Sequence, residues 1–254
     1  MKPNSLYNST QVQGLRSTLL PRVRRLHELY QAGELGGTTH EVYPCVNKGS
    51  RENYLYFTLA ASLNFQRKSE ALWRSALATY KDRCTQFVFF PENVDRGIGA
   101  YRTALTKHRL ALQPTRHTAI WYKISLTLRN RFGSDPRLLL REFDYDVEQV
   151  KRGLSESSKQ LPYLNGPKLS NYWLYLLLCF TDVQLRRKHS ISVIPDTHVI
   201  RATMKLGLLP GSTSPRPQVV AAAWHDLLAG SEFAPCDLHA ALWRWSRRGF
   251  TPDV

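Results

Sequence analysis

Two residues of this chain have the type and the setting for nucleophilic chemistry. Lys168 lies in LNGPKLSNYW, Leu164 to Trp173. Asn165-Gly166-Pro167 reads as a turn, with the proline suited to the first position of a helix. A cation in a first helical turn faces the positive end of the helix dipole and is disfavoured by roughly 0.3–1 kcal/mol. A lysine is a nucleophile only as the free amine, so a setting that works against the ammonium form has a use. Asp196 lies in IPDTHVIRATMKLGL, directly after Pro195. Taken alone, an aspartate at a helix start is a cap, and a lysine in a turn is solvated. Taken together, they offer an amine and a carboxylate.

Other chemistries find little support. Cys45, Cys84, Cys179 and Cys236 stand far apart with no CxxC pair, so neither a zinc site nor an iron–sulfur cluster is expected. Cys179, within an apolar helix, is expected to be a buried thiol. His40, His108 and His117 have no ligand spacing. Asp144-Tyr145-Asp146 reads as a loop and a helix cap. HExxH, Walker, GxGxxG and GxSxG motifs are absent. No metal and no cofactor are expected.

The elements that position Lys168 and Asp196 read as helices. Leu15, Leu19, Val23, Leu26 and Tyr30 recur at helical period across Gln11 to Tyr30, and GELGG then breaks the pattern. Residues 51–65 and 68–82 read as a helix pair, and Phe87–Phe90 as a short apolar patch before Pro91. Residues 97–110 and 115–131 read as helices, with Thr115 a candidate cap. Gly133-Ser134-Asp135-Pro136 is a stop and restart in which Asp135 caps. Helices are expected from Asp146 to Leu154 and from the turn at 164–167 to about Gln184. The basic connector Arg186-Arg187-Lys188-His189 reads as a solvated face or a phosphate contact. Ile191–Ile194 is extended, and a helix runs from Asp196 to about Leu206. A loop at Pro210–Pro217 precedes helices at 217–229 and 237–248, the last capped by Asp237. The chain is expected to be all-α, with two helical lobes around a cleft.

The chain has 254 residues, 35 Lys plus Arg against 20 Asp plus Glu, and a net charge of +15. The pI is near 9.9. Such a field favours polyanions, nucleic acid above all. A merely soluble basic protein is the plainer alternative. No run of 18 apolar residues occurs, so no membrane span is expected. MKPNSLYNST has no apolar core and does not read as a signal peptide. These readings lead to an expectation of a cytoplasmic, nucleoid-associated location.

LPYLNGPKLSNYWLYLL followed by VIPDTHVIRATMKLGL resembles the helix-hairpin-helix DNA glycosylases. That superfamily carries a hairpin LPGVGxK, then a helix, then V-D-T-H-V-x-R. Leu161-Pro162, Leu164, Gly166 and Lys168 match the first pattern; Asp196-Thr197-His198-Val199 and Arg201 match the second. The long gap between lysine and aspartate is similar to the archaeal 8-oxoguanine glycosylase branch (AGOG). Asn53 to Trp73 resembles that branch's early helix pair, and LHAALW, Leu238 to Trp243, its last pocket helix. The resemblance covers most of residues 45–250. It implies a single domain over 1–254, with lobes roughly at 45–160 and 161–210. The N-terminal segment and the 217–250 helices would complete the cleft.

The resemblance implies a monomeric DNA glycosylase with lyase activity on double-stranded DNA carrying a damaged base, an oxidised purine such as 8-oxoguanine. Lys168 would attack the sugar C1′, and Asp196 would stabilise the oxocarbenium-like charge. The amides of Leu164, Asn165 and Gly166 would hold a DNA phosphate. The flipped base would enter a pocket faced by Tyr172 and Trp243 and lined by Trp73. His239 and Tyr175 stand where the archaeal branch carries an acid and a second lysine, so the pocket departs from that branch while the Lys168/Asp196 pair does not. Two alternatives stay open: a non-catalytic DNA-binding protein on the same scaffold, or a glycosylase for another base. A helical interaction domain with incidental charge is a third.

Overall fold

The computed structural model describes residues 6–36, 41–209 and 214–254. His40, the first five residues and the start of the 210–217 loop lie outside them. Among the described residues there are eleven α-helices and no strand, so the all-α expectation holds. No helix there is long and apolar enough to cross a membrane. The chain divides into two compact units, Thr39–Arg187 and Met1–Thr38 with Lys188–Val254. The division falls at 187/188 rather than 160/161, so residues 161–187 belong with the helices before them.

The larger unit is built around α2 (Arg51–Ala61). Asn53 to Ala61 are all buried, as in a helix enclosed on every side. Such a helix needs its polar groups paired. Asn53 Nδ2 donates to Lys48 O at 3.1 Å and Phe180 O at 2.7 Å. Tyr56 donates to Val42 O at 2.7 Å, and Thr58 accepts the Trp173 indole N–H at 3.0 Å. Against α2 lie α3 (Ser69–Lys81), α5 (Pro114–Phe132), α6 (Pro136–Glu142) and α8 (Pro167–Phe180), with α4 (Gly97–Lys107) packed on α5 and α7 (Val147–Glu156) on α8. The Phe87–Phe90 patch and Pro91 lie in two short 3-10 turns, Gln86–Phe89 and Pro91–Arg96.

The smaller unit packs α1 (Ser9–Gln31), α9 (Thr197–Leu206), α10 (Pro217–Leu228) and α11 (Pro235–Arg247) around one core. The stripe anticipated on α1 is its buried face: Leu19, Val23 and Leu26 meet Leu206, Val220, Trp224, Leu238 and Trp245 in that core.

Several expectations need correction. Thr115 is not the cap of α5: the helix opens at Pro114 after Gln113, with no side-chain cap. Asp237 is not an N-cap: α11 opens at Pro235, and Asp237 in its first turn accepts the Ala234 N–H at 2.9 Å. α8 ends at Phe180, short of Gln184. Cys179 is exposed, while Cys236 is the buried thiol. The basic connector is largely exposed, as a solvated face is, but its cations are ion-paired within the fold. Arg187 pairs with Asp146 and Glu148, Arg186 with Asp144 at 3.5 Å, and Lys188 with Asp237 at 3.2 Å.

A buried donor left without its acceptor costs about 1–3 kcal/mol. Thr58→Val keeps the shape but removes the acceptor of the Trp173 indole. Urea denaturation should show it destabilised by about that amount, whereas the same change at the exposed Thr103 should be nearly neutral.

Candidate functional site

Lys168 is the second residue of α8. Asp146 caps α7 by accepting from the Glu148 and Gln149 N–H groups, both at 3.1 Å. Residues 157–166 then carry the chain from α7 into α8. Leu164 is fully buried and pins this connection to the core. Asn165 and Gly166 are half-buried. The Gly166 N–H donates to Tyr163 O at 3.1 Å, so that amide closes the turn. Tyr163 takes φ +68°, a left-handed conformation that is costly for a non-glycine residue. The N-terminus of α8 carries no side-chain cap and no acid in its first turn. Lys168 is exposed there and makes no ion pair or hydrogen bond among the described residues.

Two of the expected pocket aromatics, Tyr172 and Trp73, are enclosed. Trp73 is fully buried, its ring against Tyr56 and Phe57 at 5.7 and 5.4 Å. Its indole N–H donates to the Tyr172 hydroxyl at 2.8 Å. That hydroxyl also meets Ser69 Oγ at 3.1 Å and Glu41 Oε1 at 3.0 Å. Burial, reinforced by the Glu41 carboxylate, raises the Tyr172 phenol well above its ordinary range. Tyr175, one turn after Tyr172 minus a residue, is half-buried.

The remaining expected residues lie in the smaller unit. Asp196 caps α9: its Oδ1 accepts from the His198 and Val199 N–H groups, both at 2.9 Å. The residue is half-buried, and Oδ2 has no hydrogen-bond partner among the described residues. His239, buried on α11, accepts the Ile194 N–H on Nδ1 at 3.4 Å, and Ile194 O in turn accepts the Asp196 N–H at 2.8 Å. His239 thus helps fix the segment that presents Asp196. Trp243 is the one tryptophan of six that is not fully buried. Its ring contacts His198 at 5.1 Å and Arg247 at 4.8 Å. Within the smaller unit, Asp196, His239 and Trp243 therefore cluster on α9 and α11. Lys168 and its hairpin belong to the larger unit.

A second group in the larger unit was not singled out from the sequence. Phe65 and Tyr163 stack at 4.4 Å and 15°. The Arg116 guanidinium lies 5.2 and 5.1 Å from their centroids and donates to the Tyr163 hydroxyl. His117 meets the edge of Phe65 at 5.1 Å and is 2% exposed, with neither ring nitrogen hydrogen-bonded among the described residues. The signal for it was present: from Arg96 to Ser134 the sequence has eight Lys and Arg and no acid.

Searches of protein-family models, curated proteins and solved structures give no match to this chain.

Burial, together with Arg67 and Arg116, holds His117 below the ordinary imidazole value. The unfolded chain takes up this proton near pH 6.5 and the folded chain resists it. The contribution of His117 to stability is therefore complete above about pH 7 and declines as the pH falls through 6.5. Asp82, Asp146 and Glu232 are held below the usual carboxylate range by their cationic partners and act at lower pH. Urea midpoints from pH 8 to pH 5 should fall less steeply for His117→Leu than for the unaltered protein.

Proposed function

We propose that this protein is a DNA glycosylase with lyase activity, with Lys168 as its nucleophile. The observation that carries the reading is Lys168 itself: an exposed amine with no partner among the described residues, on the uncapped start of α8. Ordinary surface lysines gain nothing from that position, because the helix dipole opposes them. The match of the hairpin and of the Asp196 motif to the helix-hairpin-helix glycosylases supports the same reading.

The free amine donates its electron pair to C1′ of the damaged nucleotide. The C1′–N bond breaks, its electrons leave with the base, and a proton neutralises the departing base. The amine nitrogen loses its proton and the sugar ring opens to a Schiff base. Abstraction of a C2′ proton then expels the 3′ phosphate by β-elimination. Asp196 offsets the positive charge that grows on the sugar. Trp243 supplies a partly open aromatic face for the flipped base. The substrate class is an oxidised purine in duplex DNA, 8-oxoguanine first.

The enclosure of Trp73 and Tyr172 favours one other reading, a DNA-binding protein on the same scaffold that releases no base.

Borohydride trapping separates them. A covalent protein–DNA band is expected with an 8-oxoguanine duplex and with an abasic duplex, and none with Lys168→Gln. A band that survives in Lys168→Gln would remove Lys168 from the mechanism. Asp196→Asn tests the second residue against its role as a cap. Asparagine caps as well as aspartate, so stability should hold while base release slows by about 100-fold or more. Equal rates would leave Asp196 a cap alone.

A further inference from the structure

The larger unit holds 23 Lys and Arg against 13 Asp and Glu, a net of +10 of the chain's +15. Three of the eight cations between Arg96 and Arg131 are paired with acids. Lys107 pairs with Asp82 at 2.7 Å, Arg129 with Asp95 at 2.7 Å and Arg131 with Glu142 at 3.2 Å. Arg67, Arg109 and Arg116 are not: none has a carboxylate partner among the described residues.

These three arginines meet at one place. Arg67 reaches across to donate to Leu110 O at 2.7 Å, next to Arg109, and its Nε is buried without a partner. Arg116 lies against Phe65, two residues before Arg67, and against Tyr163. His117, beside Arg116, adds two more buried and unpartnered nitrogens. Behind them is the start of α5, a 19-residue helix with no side-chain cap and no acid in its first turn. Neighbouring cations and an open helix start make a local excess of positive potential that no carboxylate among the described residues neutralises. The cost is answered when an anion binds. Arg67 feels its neighbours: burial and Arg109 pull its guanidinium down to about 10.

We propose that Arg67, Arg109 and Arg116, set on the Phe65–Tyr163 stack at the start of α5, form a contact surface for the phosphodiester backbone of duplex DNA. The Phe65–Tyr163 stack holds the Arg116 guanidinium as a fixed planar donor, a geometry suited to a phosphodiester oxygen. The surplus of +10 on this unit fits the regular negative charge of a duplex backbone. The strained φ of Tyr163 joins this surface to the turn before Lys168. The inference rests on the DNA reading above and extends it to a surface that the hairpin motif does not include.

Arg109 and Arg116 are both exposed, so substituting them spares the core. Binding of a labelled abasic duplex is measured by anisotropy at 50–200 mM salt for the unaltered protein, Arg109→Gln, Arg116→Gln and the double variant. Arg24→Gln, whose residue is paired with Glu232 at 2.6 Å in the smaller unit, is the control. Thermal melts confirm that each variant folds. Each single variant should lower the slope of log K against log salt by about 1, the double by about 2, and Arg24→Gln should leave it unchanged. Borohydride trapping is run on the same proteins. An unchanged slope in the double variant, with trapping by Lys168 intact, overturns this surface and leaves the glycosylase reading standing. A lowered slope together with trapping that persists in Lys168→Gln supports the surface and sinks the nucleophile. Absence of salt-dependent DNA binding by the unaltered protein overturns both.

Discussion

Five indole rings are fully enclosed in this protein, and each must find an acceptor for its N–H. Trp173 finds Thr58, which ties α8 to α2. Trp73 finds the hydroxyl of Tyr172, tying α3 to α8. Trp121 finds Val88 O at 2.8 Å, Trp224 finds Thr203 Oγ1 at 2.8 Å, and Trp245 finds Pro252 O at 2.7 Å. Apolar contact alone would let these helices slide. A directional bond at each large ring fixes register and rotation within each unit. The position of Lys168 follows from this: α8 is held by Trp173 on one side and Tyr172 on another, and its start is what remains exposed.

Nine of the eleven helix starts among the described residues fall into two kinds. Asn8, Ser50, Asp135, Asp146 and Asp196 close theirs with a side-chain acceptor. The starts of α4, α5, α8 and α10 have neither cap nor acid, and each carries a cation instead: Arg96, Arg116, Lys168 and Arg216. A protein optimised for stability would reverse those charges. At these four starts the cations add to the positive end of the helix dipole instead of offsetting it.

Local signals were the readable ones. The 3.6-residue stripe on α1 and the aspartates at 135, 146 and 196 name their own roles, because helix period and capping depend on neighbours in sequence. Ion pairing does not. Nothing in Arg186-Arg187-Lys188 shows that Asp144, Asp146, Glu148 and Asp237, distant in the chain, take up those charges. Exposure of Cys179 within an apolar helix likewise depends on which face its neighbours cover. The Phe65–Tyr163 stack joins residues almost a hundred apart, and only the acid-free run after Asp95 hinted at it. Lys168 was legible because its oddity is local, a cation at a helix start.

The smaller unit is discontinuous, with α1 before the larger unit and α9 to α11 after it. During synthesis α1 emerges first, yet the residues that cover Leu19, Val23 and Leu26 come some two hundred positions later. At ribosomal speeds of about 5–20 residues per second, that apolar face waits roughly 10–40 seconds for its partners. The continuous unit can complete its own core in that interval. The order of assembly is thereby written into the topology. α1 is made before the larger unit and covered after it, so its apolar stripe is open to chaperones in the interval.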